Sequence, residues 1–223
     1  MAIPNPVRLF HITPIATLPD IFARGALLSK NHLAAAGVDY TSIAHHGAQS
    51  TRAAKLVPNP PGGNVHDYVP FYFAPRSPML YTINGGNVLG CDLRQADIVH
   101  IETTIDLVLR HGEPFVFFDR NATLAYSNDF TDINRIDAIA WDLITAQPQL
   151  DGYCKYWHSV SSNQQYVDRM EKRMAEFLVK TTVPVTAIQR IGVINNDRLS
   201  EVSEIVADYG LSIPTVAIPS WYF

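Results

Sequence analysis

The eight residues KRMAEFLV, numbers 172–179, mark the point where a charged segment gives way to an apolar one. The charged side predicts a polar helix over residues 164–174, whereas residues 177–179 predict a buried strand. Glu176 stands at the junction. Because a carboxylate at the head of an apolar strand is costly to bury alone, Glu176 is either a functional acid or a helix-end partner of Arg173 or Lys172.

The rest of the chain predicts short strands and helices that do not alternate regularly. Strands are predicted at 8–12, 69–73, 88–93, 98–102, 114–118 and 188–194, and helices at 15–24, 104–110 and 199–209, with irregular regions at 29–68 and 141–162. No GxGxxG motif follows a strand, so a doubly wound α/β fold is disfavoured. We predict an α+β fold, with mixed central sheets and inserted helices, in a single domain spanning residues 1–223.

The composition indicates a globular protein, because 47% of the residues are hydrophobic and 17% are charged. Cys91 and Cys154 are the only cysteines, and no CxxC or Cys/His cluster predicts a disulfide framework or a zinc site. Residues 1–10 lack the pattern of a signal peptide, and no apolar run approaches the roughly 18 residues of a membrane span. We therefore expect a soluble, cytoplasmic protein.

The net charge of −4 limits the kinds of nucleic-acid binding that this chain can support. A protein that coats DNA without regard to sequence neutralises many phosphates and is strongly basic. The charge therefore argues against that class. It remains compatible with an enzyme that holds a few nucleotides in one local groove.

The segment VPFYFAPRSPMLY, numbers 69–81, places three aromatic residues in a row. Because side chains alternate along a strand, Phe71 and Phe73 can pack inward while Tyr72 faces the opposite side and can stack on a flat ring. A buried core strand explains the two phenylalanines equally well. It does not explain Arg76 and Met79 beside them.

Two further positions are candidates for binding, each with an ordinary structural alternative. Arg52 follows Gln49-Ser50-Thr51 in the first irregular region, and it is either a solvated loop arginine or a bidentate clamp for a pyrophosphate. His11 closes the first strand next to Thr13 and is either a structural histidine or part of a binding strand. No second ligand stands at metal spacing from His11, so a metal role is poorly supported.

Basic and aromatic residues are interleaved near Glu176, which is the combination that single-stranded nucleic acid requires for stacking and phosphate contacts. Three of them share one predicted helix face at spacings i, i+3 and i+4, and a solvated face is the ordinary reading of such a run. The residues are Lys155, Tyr156 and Trp157 in the second irregular region and Arg169, Lys172 and Arg173 on the helix.

The order of these motifs along the chain resembles the DarT family, the DNA ADP-ribosyltransferase toxins. The resemblance covers residues 8–194, and its most specific parts are FYF with PRSPMLY at 71–81 and RMAEFLV at 173–179. It implies an ADP-ribosyltransferase fold and NAD as the donor substrate, with no other cofactor and no metal. It also implies transfer of ADP-ribose to a base of single-stranded DNA, thymine in one branch of the family, and a macrodomain antitoxin as partner.

The same resemblance implies roles for individual residues. Glu176 matches the catalytic glutamate and Arg52 the essential loop arginine. Tyr72, Arg76 and Met79 match positions that line the NAD and DNA cleft, and His11 and Thr13 match the strand that anchors NAD. Residues 141–162 correspond to the loop that recognises the acceptor, which we call the acceptor loop. One departure is Asn121, in DRNA at 119–122, where the family pattern leads us to expect a histidine.

Two other functions remain open at this level. The first is an ADP-ribosyltransferase that modifies proteins, or a plain NAD glycohydrolase, which the acceptor preference distinguishes. The second is a non-catalytic nucleotide-binding module on the same fold, which NAD turnover would exclude.

Overall fold

A computed structural model of the chain describes residues 3–38 and 46–223. An eight-stranded sheet lies at its centre, beside two small two-stranded sheets. The strands are β1 (Arg8–Pro14), β2 (Ala26–Leu28), β3 (Tyr68–Tyr72), β4 (Ile98–Thr104), β5 (Phe115–Phe118), β6 (Asp129–Phe130), β7 (Gln149–Leu150), β8 (Tyr153–Cys154), β9 (Glu176–Lys180), β10 (Thr182–Pro184), β11 (Arg190–Val193) and β12 (Thr215–Ala217). The helices are α1 (Leu18–Arg24), α2 (Lys30–Ala35), α3 (His46–Ala54), α4 (Pro78–Asn84), α5 (Ile105–Leu109), α6 (Trp141–Ile144), α7 (Arg169–Lys172) and α8 (Asn196–Asp208).

The large sheet has the strand order β12-β11-β4-β1-β3-β9-β5-β6. Its described neighbours pair antiparallel, except that β11 and β12 run parallel. The strands are joined by short helices of irregular spacing rather than by repeated βα units. The predicted α+β class is therefore confirmed.

Side chains on β3 alternate between two environments, as its sequence predicts. Phe71, and Phe73 just after the end of the strand, are buried in the main hydrophobic core on one face of the sheet. Tyr72 turns to the other face, where it is half-buried and lines a cavity together with Pro70. A smaller cluster that includes Leu178 of β9 fills the rest of that second face. The alternation thus separates core residues from cavity residues along one strand.

Several predicted elements are confirmed with small shifts of their ends. The helix predicted over 15–24 begins as a single 3₁₀ turn and continues as α1. It ends at Gly25, whose φ of 70° lies in the left-handed region that glycine adopts without steric penalty. Helix α8 begins earlier than predicted because Asn195 caps it, accepting a hydrogen bond from the Arg198 backbone N–H.

Three predictions differ from the structure. The strand predicted at 88–93 is wrong, because Leu89 is 80% exposed and Gly90, with φ of 76°, turns the chain there. The helix predicted over 164–174 shrinks to the four residues of α7. The first irregular region contains α2 and α3, and α2 gave no apolar signal because none of its residues is buried.

The second irregular region also holds regular structure. Helix α6 opens it, and β7 and β8 form a hairpin whose turn is made by Asp151 and Gly152. Both turn residues have positive φ, 49° and 84° respectively. Within the described part of the chain, no helix combines the length and the apolar character needed to cross a membrane.

Candidate active site

Glu176 is the first residue of β9 and lies opposite Tyr72 of β3 in the sheet. It is 1% exposed. Its ionic partner is Arg52 of α3, whose Nη1 lies 3.0 Å from Oε1 and 2.8 Å from Oε2. The partnership with Arg173 or Lys172 that a helix-end glutamate would form is therefore not the one observed. The carboxylate is paired across the fold instead.

The two oxygens of Glu176 are not equally occupied. Oε1 accepts hydrogen bonds from Arg52 and, at 3.4 Å, from the backbone N–H of Ala122. No described residue donates a hydrogen bond to Oε2, whose 2.8 Å contact with Arg52 is an ionic one. Burial, the largest single influence, lowers the pKa of Arg52, but the charge and hydrogen bond of Glu176 together with the effect of Tyr72 outweigh it, so the pKa is raised. The guanidinium therefore stays charged, and Oε2 retains a free lone pair.

A cavity of about 490 Å³ opens at the Glu176–Arg52 pair, a size typical of a small-molecule site. It gathers residues from β1, α3, β3, α4 and β9. Six of the residues predicted from sequence line it together: His11, Thr13, Arg52, Tyr72, Met79 and Glu176. The structure thus brings the predicted catalytic and NAD-contacting residues into one place.

The polar groups of β1 in this cavity are held in fixed orientations. Nδ1 of His11 donates to the carbonyl oxygen of Pro70 at 2.8 Å, since a carbonyl can only accept. Burial lowers the pKa of His11, against the effect of that hydrogen bond, so the ring is neutral at pH 7. Thr17 donates to the Pro14 carbonyl, so Thr13 must donate to Thr17 Oγ1, and the Thr13 oxygen keeps its acceptor sites.

Tyr72 faces the cavity beside the ion pair. Burial and then the negative charge of Glu176 raise the pKa of its phenol, while Arg52 partly opposes them. The hydroxyl is therefore protonated throughout the physiological range. An uncharged aromatic ring at this position offers a flat surface next to a carboxylate.

Two cavity residues were missed by sequence reasoning or left without a role. His66 is buried beside Arg52, and burial with the charges of Lys30 and Arg52 lowers its pKa to about 4. Its position two residues before β3 was the only available signal. Asn121, which stands where a histidine was expected, also lines the cavity, and its Oδ1 accepts from the backbone N–H and the hydroxyl of Thr123.

The predicted basic helix face is wrong for two of its three members. Arg169 and Arg173 are 5% and 2% exposed, because α7 packs against the second irregular region instead of facing solvent. The Arg169 guanidinium stacks on the Tyr166 ring at 3.7 Å. Lys172 is one-third exposed and pairs with Asp168 at 3.0 Å. Neither buried arginine can reach a DNA phosphate in this arrangement.

The aromatic and basic residues of the second irregular region divide in the same way. Lys155 and Tyr156 are exposed, and the ammonium lies 6.0 Å from the tyrosine ring centre. Trp157, which we expected to be available for stacking, is buried and packs against Tyr81 with ring centres 5.0 Å apart. Arg76 is half-buried at the same loop and does not line the cavity. Over the residues described, no group of three metal-ligating side chains is found.

Comparison with known proteins identifies relatives over the whole chain. Residues 10–223 match the family described as ssDNA thymidine ADP-ribosyltransferase, DarT. The DNA ADP-ribosyl transferase of Thermus aquaticus is 35% identical over 227 residues, covering 100% of this chain and 92% of that protein. The structure of Thermus sp. 2.9 DarT in complex with ADP-ribosylated ssDNA superposes with a TM-score of 0.87 at 32% identity, covering 100% and 99% of the two chains.

The same Thermus sp. 2.9 enzyme in complex with NAD+ superposes with a TM-score of 0.83, at 32% identity and full coverage of both chains. Fold and cavity together define an ADP-ribosyltransferase, as the sequence led us to expect. The chain belongs to the DarT family. Its activity is the NAD-dependent ADP-ribosylation of DNA.

Proposed function

We propose that Glu176 is the catalytic carboxylate and that Arg52 is its essential partner. The observation that carries this proposal is a buried ion pair in a cavity wall in which Oε2 of the acid accepts no hydrogen bond from any residue described. A buried side-chain oxygen normally has at least one hydrogen-bond partner. An acceptor without a hydrogen-bond partner, on a residue that lines the cavity, is available to a substrate hydroxyl.

The chemistry explains why a carboxylate is needed at this point. When the bond between ribose and nicotinamide breaks, the bonding electrons leave with nicotinamide and positive charge develops on the ribose, as in glycoside cleavage. Glu176 holds a ribose hydroxyl, and its negative charge interacts more strongly as the positive charge grows. The interaction is thus stronger in the transition state than in the ground state, so it lowers the barrier.

The remaining cavity residues hold the donor in place. The acceptor oxygen of Thr13 and the neutral ring of His11 lie on β1, which we propose as the NAD-anchoring strand. Tyr72 stacks on nicotinamide, next to the bond that breaks. Arg52 orients Glu176 and offers its remaining N–H donors to the pyrophosphate. The volume of about 490 Å³ and this set of groups fit such a ligand, and an NAD+ complex of the Thermus sp. 2.9 relative supports the assignment.

We further propose that the acceptor is a thymine ring nitrogen in single-stranded DNA. The family description and the ADP-ribosylated ssDNA complex of the Thermus sp. 2.9 enzyme support it. The nitrogen attacks the ribose carbon and loses its proton, for which Glu176 is the proposed base. Tyr156 and Lys155, both exposed, supply a stacking surface and a phosphate partner. Met79 in the cavity wall contacts the base.

The biological role that we propose is that of a toxin. A modified base in an exposed single strand blocks its use as a template. The enzyme acts in the bacterial cytoplasm, because NAD and DNA are both present there. A macrodomain antitoxin that removes the modification would be its partner, as the DarT resemblance implies. Co-expression with such a macrodomain should restore growth that the enzyme alone suppresses.

The decisive experiment offers labelled NAD together with a single-stranded oligonucleotide, its duplex and a mixture of proteins. We expect label on the single strand, at a thymine identified by mass spectrometry of fragments. The duplex should react poorly, because a paired base must first leave its stack. Label on protein, or equal modification of duplex and single strand, would contradict the proposed acceptor.

A further inference from the structure

Three consecutive backbone carbonyls of the acceptor loop are held by guanidinium groups. Nη1 of Arg173 donates to the carbonyl oxygens of Cys154 and Tyr156, at 2.6 and 2.8 Å. Nη1 of Arg76 donates to the intervening carbonyl of Lys155 at 3.3 Å. Two arginines from different parts of the chain therefore fix the backbone over residues 154–156.

These arginines are not explained by ion pairing. Across residues 3–38 and 46–223, neither Arg76 nor Arg173 has a carboxylate within ion-pair distance, and Nε and Nη2 of Arg173 have no hydrogen-bond partner. Burial, together with the positive charges of Arg169 and Arg76, lowers the pKa of Arg173 to about 10. A buried charge with this environment contributes little net stability. What it does contribute is a defined backbone geometry.

That geometry decides which side chains the loop exposes. With the three carbonyls bound by arginines, Lys155 and Tyr156 are exposed, while Trp157 is buried against Tyr81. Arg173 also lies three residues before Glu176 on the same segment. One side chain therefore links the position of the loop to the position of the carboxylate.

We propose that Arg173 and Arg76 are positioning residues, which preform the acceptor loop through its backbone carbonyls instead of contacting the phosphates of the DNA. The inference rests on the proposed function, since it takes the loop to bind the acceptor strand. This role can be distinguished from phosphate binding by experiment. Removing a cation that contacts a phosphate makes the affinity for DNA less dependent on salt, whereas removing a positioning residue does not.

The experiment measures binding of a thymine-containing single strand across a salt series, and steady-state kinetics, for the full chain and five variants. For Arg173→Gln we expect the KM for the oligonucleotide to rise about ten- to a hundredfold, the size expected when charged hydrogen bonds are lost. Affinity for NAD and the slope of log K against log salt should equal those of the wild type. Arg173→Lys should recover part of the loss, because an ammonium can still donate to two carbonyls.

Two matched variants separate charge from position. Lys155→Gln removes an exposed charge and should reduce the salt slope by about 0.7, the value for one phosphate contact on a single strand. Arg110→Gln removes an exposed arginine at the end of α5 and should change neither slope nor KM. Arg76 is less buried than Arg173, and Arg76→Gln should also raise the KM for the oligonucleotide. If Arg173→Gln fails to fold, the proposal is tested with Arg76→Gln.

A salt slope that falls in Arg173→Gln or Arg76→Gln as it does in Lys155→Gln would overturn the positioning role in favour of direct phosphate contact. So would an unchanged KM for the oligonucleotide in folded variants. These outcomes differ from a failure of the proposed function. In that case the wild-type enzyme itself leaves single-stranded DNA unmodified.

Discussion

Two carboxylates lie buried in the central sheet, and each is paired with arginine. Glu102 of β4 and Glu176 of β9 are both 1% exposed. Glu102 is held on both sides, by Arg8 Nε at 2.6 Å from Oε1 and by Arg190 Nε at Oε2. Among the described residues, Glu176 has a single ionic partner, Arg52. The two sites therefore hold the same residue type, but arginine donors form hydrogen bonds with both carboxylate oxygens only at Glu102.

Burial and an arginine partner do not distinguish a structural acid from a functional one here. Glu102 also lies under a surface hollow, but guanidinium groups occupy both its oxygens, and Arg8 and Arg190 contact Asp151 as well. Oε2 of Glu176 accepts no hydrogen bond from the described residues, and Glu176 lines the larger cavity. The free hydrogen-bonding capacity is what marks the site.

The strongest test of this contrast is Glu176→Gln. The amide keeps the shape but not the charge that stabilises the developing cation, so DNA modification should fall by more than about a hundredfold. NAD affinity should change little, because the interaction strengthens mainly in the transition state. Turnover is measured with labelled NAD and binding by calorimetry. More than a hundredth of wild-type turnover would remove Glu176 from the catalytic role.

The matching change at the other carboxylate is Glu102→Gln. It leaves Arg8 and Arg190 beside a neutral group, which should lower the free energy of unfolding by about 2 kcal/mol. Turnover per folded molecule should be retained. Chemical denaturation measures the stability loss, with Glu176→Gln as the comparison. If Glu102→Gln lost activity without losing stability, the proposed distinction between the two sites would be wrong.

The arginine partners sharpen the comparison further. Arg52→Lys should reduce turnover by about tenfold or more, because a compact ammonium cannot reproduce the planar fork that holds a carboxylate and a pyrophosphate together. Arg190→Lys should leave turnover near the wild-type value, since Arg8 still holds Glu102. Parallel kinetic assays test both variants. Full activity of Arg52→Lys would make Arg52 a simple counter-charge.

The smallest expected effect concerns two buried histidines, His66 at the cavity and His100 on β4. Burial lowers the pKa of His100 to about 4, against the effect of its hydrogen bond to the Pro75 carbonyl, and His66 reaches a similar value. In the unfolded chain both titrate near 6.5, so between about pH 6.5 and 4 the unfolded state binds more protons. Stability is therefore lost as the pH falls through that window.

For His100 alone, the loss between pH 7 and 5.5 should be about 1 kcal/mol. His100→Gln should remove that part of the pH dependence, whereas His66→Gln should also alter NAD affinity because His66 lines the cavity. Urea denaturation at a series of pH values measures the first effect. An unchanged pH profile in His100→Gln would show that other groups carry the dependence.

Local sequence predicted much of the fold and the membership of the site. Alternation in residues 71–73 separated the core face of β3 from its cavity face, and Gly25 marked the end of α1. The family resemblance rested on the order of several short motifs along the chain, and six of the site residues that it predicted line a single cavity. These features depend on backbone periodicity and residue type, which are properties of neighbouring residues.

Only the tertiary structure determined which charged residues form ion pairs and hydrogen bonds with each other. Arg52 and Glu176 are 124 positions apart, and nothing local distinguishes that pairing from one with Arg173. Spacing also predicted a solvated basic face, but α7 packs on the acceptor loop, so Arg169 and Arg173 are buried and Arg173 donates to backbone carbonyls. Helical spacing determines which residues share a face. Whether water or protein covers that face depends on contacts between segments distant in sequence, which only the folded chain brings together.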